Sequence, residues 1–441
     1  MALACLASAS NYTFPHFEWD SIRPTKDLEF HDCYESYRCA RLALPLDWKN
    51  LSDPRTVSIA LIKLPARVSD TDARFGGPVF ANPGGPGGSG VDHVLAAGRY
   101  LQEYIDTPGK KHYEIVSFDP RGVRHSHPRA DCFSESVLAR DAMILESRGL
   151  GGLTRDPGKL AYGLAMMDGL AKKCAAAEVA GDLFSYMGTP TVARDMVEMV
   201  DKMDALRKQT DGRVELRRRA AAEDDVPRLQ YIGFSYGTVL GNYFASLFPE
   251  RVGRIVLDGV VDADDYSKGG GWLTNTVDAD AIVDELFSGC FQAGPETCAL
   301  ARASDQSASD IRARVWAWLA RLDASPMAGL SSSGNAFVLS GADMRALLAT
   351  SAYKPLDAFV PLARLLDAVM QGRDLALFLS TIESALLGGP LQNSCPPADD
   401  TTASHTSPDA SMAILCGDGE DLTTRPLAWW QSYLDRQVDT S

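Results

Sequence analysis

The sequence predicts an α/β fold built on a mostly parallel, doubly wound sheet with a helical cap inserted into it. Three observations predict it. Short apolar runs alternate with helical periodicity as far as Leu257. A glycine-rich loop follows an early strand, and a glycine-flanked serine sits between a later strand and its helix. Taken in order, Thr56 to Leu64 and Pro78 to Ala81 read as strands, and Gly90 to Tyr104 as the helix after the glycine loop. Glu114 to Phe118 is the next strand. Pro190 opens a helix through Leu206 with Val192, Met196, Met199, Val200 and Met203 on one stripe. Leu229 to Ile232 is a short buried strand, Thr238 to Phe248 a helix stopped by Pro249, and Arg254 to Leu257 a further strand. Such alternation implies parallel strands with crossover helices. From about Asp264 the pattern changes: Trp272, Ile282 to Phe287, Ile311 to Leu322, Met344 to Ala349, Leu362 to Met370 and Leu375 to Leu387 read as successive helices. Each needs one buried face to be stable, so their apolar stripes read first as cap core and second as substrate wall.

The chemistry concentrates at Gly233-Phe234-Ser235-Tyr236-Gly237. A serine on a sharp strand-to-helix turn projects its Oγ above the sheet edge, and side chains at Gly233 or Gly237 would collide with neighbouring backbone. Ser235 is the candidate nucleophile. The loop Asn82-Pro83-Gly84-Gly85-Pro86-Gly87-Gly88-Ser89-Gly90 resembles the one in which α/β-hydrolases place half of an oxyanion hole, the other half being the amide after the nucleophile, here Tyr236. Pro86 has no N–H, so Gly85 or Gly87 must donate, and Gly85 is favoured. A phosphate loop is the rival reading. No G-K-[ST] follows, and no G-x-G-x-x-G opens the helix.

These segments resemble the tripeptidyl-aminopeptidase branch of the α/β-hydrolases, related to the proline iminopeptidases. The similarity runs through Cys39-Ala40-Arg41-Leu42 with Pro45-Leu46-Asp47-Trp48, the glycine loop, Val116-Ser117-Phe118-Asp119-Pro120-Arg121-Gly122, Gly188-Thr189 with Asp195, the serine pentapeptide, and Arg254-Ile255-Val256-Leu257-Asp258-Gly259-Val260-Val261-Asp262. It spans roughly residues 17 to 265, with Ala413-Ile414-Leu415-Cys416-Gly417-Asp418 beyond. The resemblance implies a serine hydrolase acting on a peptide N-terminus, or on an ester or lactone, with no cofactor. It also implies a triad in the order serine, acid, histidine, the last two on C-terminal loops.

The C-terminal part departs from that pattern. His405 is the only histidine after Ser235, in a polar stretch from Pro396 to Pro408 that no apolar strand enters. It is the candidate base, though an exposed loop histidine is the plainer reading. Asp258 is the candidate acid, at the end of the strand after the serine's helix. The resembled family carries a later acid as well, which favours a structural role here. His125 and His127 are placed at the site rim, His93 on the helix after the glycine loop, and His16, His31 and His112 in no motif. The expected domains are a hydrolase core at 1–264, a helical cap (lid) at 265–390, and at 391–441 a loop with the start of an incomplete C-terminal segment. The last strands of the fold are then missing, and an open sheet edge would accept a complementing C-terminal segment. The alternative reading is a truncated or pseudoenzyme member that binds ligand without turnover.

Composition argues against two classes of partner and leaves the small-molecule or peptide substrate that the resemblance implies. The 441 residues are 45% apolar, enough for a large core, and the net charge of −15 argues against nucleic acid or anionic membrane. The basic group Arg213 and Arg217-Arg218-Arg219 is followed by Glu223-Asp224-Asp225 and reads as a solvated loop. No run has the apolar length of a membrane span, and neither C-x-x-C nor H-E-x-x-H metal spacing occurs. Among nine cysteines, Cys33 with Cys39, Cys132 with Cys174, and Cys290 with Cys298 are spaced to pair, and such pairs resemble secreted members of the family. Of the three left over, Cys416 is expected to have lost its partner with the missing segment. Asn11-Tyr12-Thr13 and Asn50-Leu51-Ser52 are sequons, and Ala2 to Ser10 resembles the end of a signal peptide without a basic start. Localisation stays open.

Overall fold

Two strands that carry no alternation open the sheet. In a computed structural model describing residues 17–134, 136–151, 156–177, 182–210, 226–387 and 408–440, β1 (His31–Cys33) and β2 (Tyr37–Pro45) form an antiparallel pair closed by the Cys33–Cys39 disulfide. Cys39 to Leu42 is buried on both faces, so β2 has no polar alternation to betray it. Then follow β3 (Thr56–Leu64), β4 (Phe75–Asn82), α1 (Gly90–Ile105) and β5 (His112–Phe118). Next come α2 (Val137–Gly149), α3 (Pro157–Ala175), α4 (Thr189–Thr210), β6 (Leu229–Phe234), α5 (Tyr236–Leu247) and β7 (Val252–Asp258). The described strands of the sheet run in the order β1-β2-β3-β5-β4-β6-β7. Pairings on the β1 side are antiparallel, and β5-β4-β6-β7 are parallel.

Helices cover both faces. On one, Met196, Met199 and Met203 of α4 and Val239, Leu240 and Phe244 of α5 bury Tyr231 and Phe80. On the other, Val91, Val94 and Leu101 of α1 pack on Ile62, Leu64 and Ile115. The two sides of the first core are joined by charge. Arg121 gives two hydrogen bonds to Asp195 on α4, at 2.7 and 2.8 Å, and two more to the carbonyls of Leu46 and Pro45. Trp48 Nε1 donates to the same carboxylate at 2.7 Å. Five motif residues thus meet around one buried ion pair whose donors and acceptors are matched.

After β7 the chain enters the region expected to form the cap. It makes α6 (Ala263–Ser267), α7 (Ala279–Ala293), α8 (Ala308–Ala324), a hairpin of β8 (Met327–Leu330) and β9 (Ala336–Leu339), then α9 (Gly341–Ser351), α10 (Pro355–Met370) and α11 (Leu375–Leu387). Trp272, expected among the cap helices, is not helical. It sits at φ 62° after three glycines, while Asp265 accepts hydrogen bonds from the amides of Leu273 and Thr274. The hairpin was not expected either; its strands are only four residues long and carry no polar residue, so no alternation is legible. Its turn carries Ser331 to Gly334. Leu286, Phe287, Ile311, Trp318, Leu366 and Phe378 belong to a second core separate from those under the sheet. Arg148 of α2 reaches across to Asp343 of α9. The last described elements are α12 (Pro408–Asp418) and α13 (Leu427–Thr440). Ala410 and Ile414 of α12 return to the first core. The pairings Cys132–Cys174 and Cys290–Cys298 are present, and Cys416 has no disulfide partner among the described residues. Among the described residues no helix is long and apolar enough to cross a membrane.

Candidate active site

β4 and β6 lie side by side, with Asn82 paired to Gly233, so the loops that leave their C-terminal ends are neighbours. This is the crevice where the strand order reverses, the usual ligand position in such sheets. β6 ends at Phe234, and Ser235 then takes φ 54°, ψ −125°, a conformation costly for any residue with a Cβ. The surroundings over-determine it. Ser235 N–H donates to the carbonyl of Asp258 at 3.1 Å. The Ser235 carbonyl accepts from Thr238 N at 2.8 Å and Thr238 Oγ1 at 2.6 Å. A Cβ on Gly233 would lie 2.4 Å from the Gly237 carbonyl, and one on Gly237 would lie 2.7 Å from that of Asn82. The expected glycine requirement is therefore steric and direct.

The glycine loop presses against this turn. A Cβ on Gly84 would stand 2.4 Å from the Phe234 carbonyl and 2.9 Å from Ser235 Cβ. Gly84 N–H is spent on Asn82 Oδ1 at 2.9 Å, and Gly88 N–H on the Gly84 carbonyl at 3.2 Å. Among the described residues, Gly85 and Gly87 give their N–H groups to no acceptor. Tyr236 is the first residue of α5, so its N–H has no partner within the helix. The far end of the loop is fixed by Asp119, which accepts from Ser89 Oγ at 2.6 Å, Val91 N at 3.1 Å and His125 N at 3.0 Å. Burial, with Asp92 nearby, pushes the Asp119 carboxyl up to about 7 against these three donors.

No protein-family model matches the chain. Curated relatives do. Serine protease Hip1 of Mycobacterium tuberculosis is 31% identical over 228 residues, covering 51% of this chain and 36% of the relative. Tripeptidyl aminopeptidase of Streptomyces lividans is 29% identical over 243 residues, covering 53% and 38%. Carboxylesterase B of Mycobacterium tuberculosis is 31% identical over 189 residues, covering 41% and 32%. The chain is an α/β-hydrolase related to the tripeptidyl aminopeptidases. The match spans little more than a third of the length of those relatives.

The fold places its other candidates unevenly. Asp258 meets the elbow through its carbonyl; its side chain is exposed, on the outer face of β7 with Arg254 and Val256. His405, like His16, the Asn11 sequon and the basic group from Arg213, lies outside the described residues. His125 is stacked on Trp19 at 5.0 Å, and burial holds its ring down at about 3. His127 is also lowered by burial, and its backbone pairs with Ser58. His93 packs near Phe234 at 5.6 Å between ring centroids, its Nε2 buried without a partner among the described residues, and burial lowers it to about 4. His112 bonds Asp106 at 2.9 Å, and His31 is exposed. No group of three or more candidate metal ligands occurs among the described residues.

One cluster carried no role in the sequence. Asp418 accepts from Thr189 N at 2.7 Å, Thr189 Oγ1 at 2.5 Å and Tyr266 OH at 2.9 Å. Thr189 Oγ1 also meets the hydroxyl of Tyr236 at 2.5 Å. Two quoted segments, Gly188-Thr189 and Ala413 to Asp418, thereby converge on Tyr236, the residue after Ser235. Their presence among the motifs was the only signal available.

Proposed function

We propose that this hydrolase cleaves peptide, amide or ester bonds through an acyl-enzyme on Ser235. The observation that carries the reading is the strained Ser235 turn with Gly84 packed directly against it. Ser235 Oγ attacks the acyl carbon, and the carbonyl oxygen becomes an oxyanion held by the amides of Gly85 and Tyr236. The serine proton passes to a base and then to the leaving amine or alkoxide. Water next adds to the ester, and the acid leaves with Ser235 restored. The names of the relatives support an aminopeptidase-like substrate, with an ester or lactone as the variant. His405 is the proposed base because it is the only histidine downstream of Ser235. Asp258 is the proposed acid through its place beside the elbow.

A second reading is ligand binding without turnover. It is favoured by the exposed side chain of Asp258 and by the absence, among the described residues, of any histidine bonded to it or to Ser235. The outer edge of β7, with Val256 57% exposed, suits a complementing segment. Labelling by a fluorophosphonate probe separates the readings. Covalent labelling that Ser235→Ala abolishes is expected for the hydrolase, and His405→Ala should then slow it by orders of magnitude. A folded chain that stays unlabelled would sink the acyl-enzyme reading.

A further inference from the structure

We propose that Ser411 and Asp418, on one face of α12, are positioning residues that set the two halves of the oxyanion hole. The proposal rests on Gly85 and Tyr236 being its donors. Ser411 Oγ donates to the carbonyl of Pro86 at 2.5 Å. That carbonyl shares a peptide plane with Gly87 N–H and lies in the middle of the turn that the Gly88-to-Gly84 bond closes. The same closing bond fixes the Gly84 carbonyl, and Gly85 N–H must point the opposite way across its planar peptide. Ser411 therefore holds the loop at the point between both candidate donors.

Asp418 holds the other half. Its carboxylate takes the only hydroxyl proton of Thr189, so the Tyr236 hydroxyl must donate into Thr189 Oγ1. A directed chain results, from Tyr236 through Thr189 to Asp418. Tyr236 is pinned by its side chain, while its own N–H stays outward because Thr238 occupies the preceding carbonyl. Ser411 and Asp418 are seven residues apart in α12, two turns along one face, about 10 Å. One rigid helix thus spans both anchor points. Asp418 also accepts from the first N–H of α4, a purely structural cap, so the test must separate capping from positioning.

Tyr236→Phe does this, since it cuts the chain at the hydroxyl and leaves the cap intact. Ser411→Ala cuts the other anchor. Each should lower the second-order rate of fluorophosphonate labelling about tenfold, less than the loss on the order of 10²–10³ for deleting a donor outright. Ser411→Thr, which keeps the hydroxyl, should restore the rate. Ile414→Ala, which lies between the two anchors but packs in the first core without a hydrogen bond, should lower the melting temperature and leave labelling per folded molecule unchanged. Equal rates for all variants, or an Ile414→Ala loss matching that of Ser411→Ala, would overturn the proposal. If the wild type itself is unlabelled, the acyl-enzyme reading fails separately. The brace is then read by hydrogen exchange: Ser411→Ala and Tyr236→Phe should speed exchange in peptides covering 82–90 and 233–240, and unchanged exchange there refutes it.

Discussion

At Gly84 a single methyl group would collide with the serine turn. The position has φ +89°, and an added Cβ would overlap the Phe234 carbonyl and crowd Tyr236 N. Neither neighbour can yield, because both belong to the strained turn. Gly84→Ala is therefore expected to abolish fluorophosphonate labelling and to lower the melting temperature by several degrees, whereas alanine at Gly109, open on all sides, should leave labelling intact. Asp119 makes a second prediction at this scale. Its folded value of about 7 lies above the reference 3.8, so the folded state holds its proton where the unfolded chain has lost it. The associated stability is complete below the unfolded value and is lost as pH rises through about 7. Urea unfolding should show the wild type losing up to about 4 kcal/mol relative to Asp119→Asn between roughly pH 4 and pH 8. A parallel pair of curves would refute it. Ser235 and the glycine loop were legible because each is a short contiguous pattern with one steric meaning. Asp418 was not, because its partner Thr189 lies 229 residues away and nothing local marks the pairing.

Elements were legible where burial is one-sided. The α4 stripe lay open in the sequence because Val192, Met196, Met199 and Met203 face one core. β2 was hidden by burial on both faces, and the β8–β9 hairpin by its shortness. The ion pair of Arg121 with Asp195 ties α4 to the loop after β5 and to the end of β2. Removing one partner leaves a charge without compensation in the interior. Asp195→Ala should cost about 3–5 kcal/mol in chemical denaturation, and Asp195→Asn less, since it keeps an acceptor for Trp48. A loss below about 1 kcal/mol would show that the pair is not what joins these elements.

Across the whole molecule, apolar clusters form on both faces of the sheet and among the helices after β7, and among the described residues the sheet keeps one flank uncovered. Val256 on β7 is 57% exposed and Val260 beyond it 66%, on a strand that is an edge among the described residues. Such an edge pairs with other chains. Val256→Lys should lower the weight-average mass in sedimentation at rising concentration, with Ser235 labelling unchanged; identical sedimentation would mean the flank is inert. The cap was legible as a set of helices, whereas its tie to the core through Arg148 and Asp343 was not, because charged pairs carry no periodicity. The return of α12 to the first core sets a schedule as well as a geometry. The serine turn and the glycine loop emerge from the ribosome, and can fold, well before Ser411 and Asp418 are made. A nascent chain would thus carry Ser235 in place but unbraced, so that any reactivity waits for α12 to emerge.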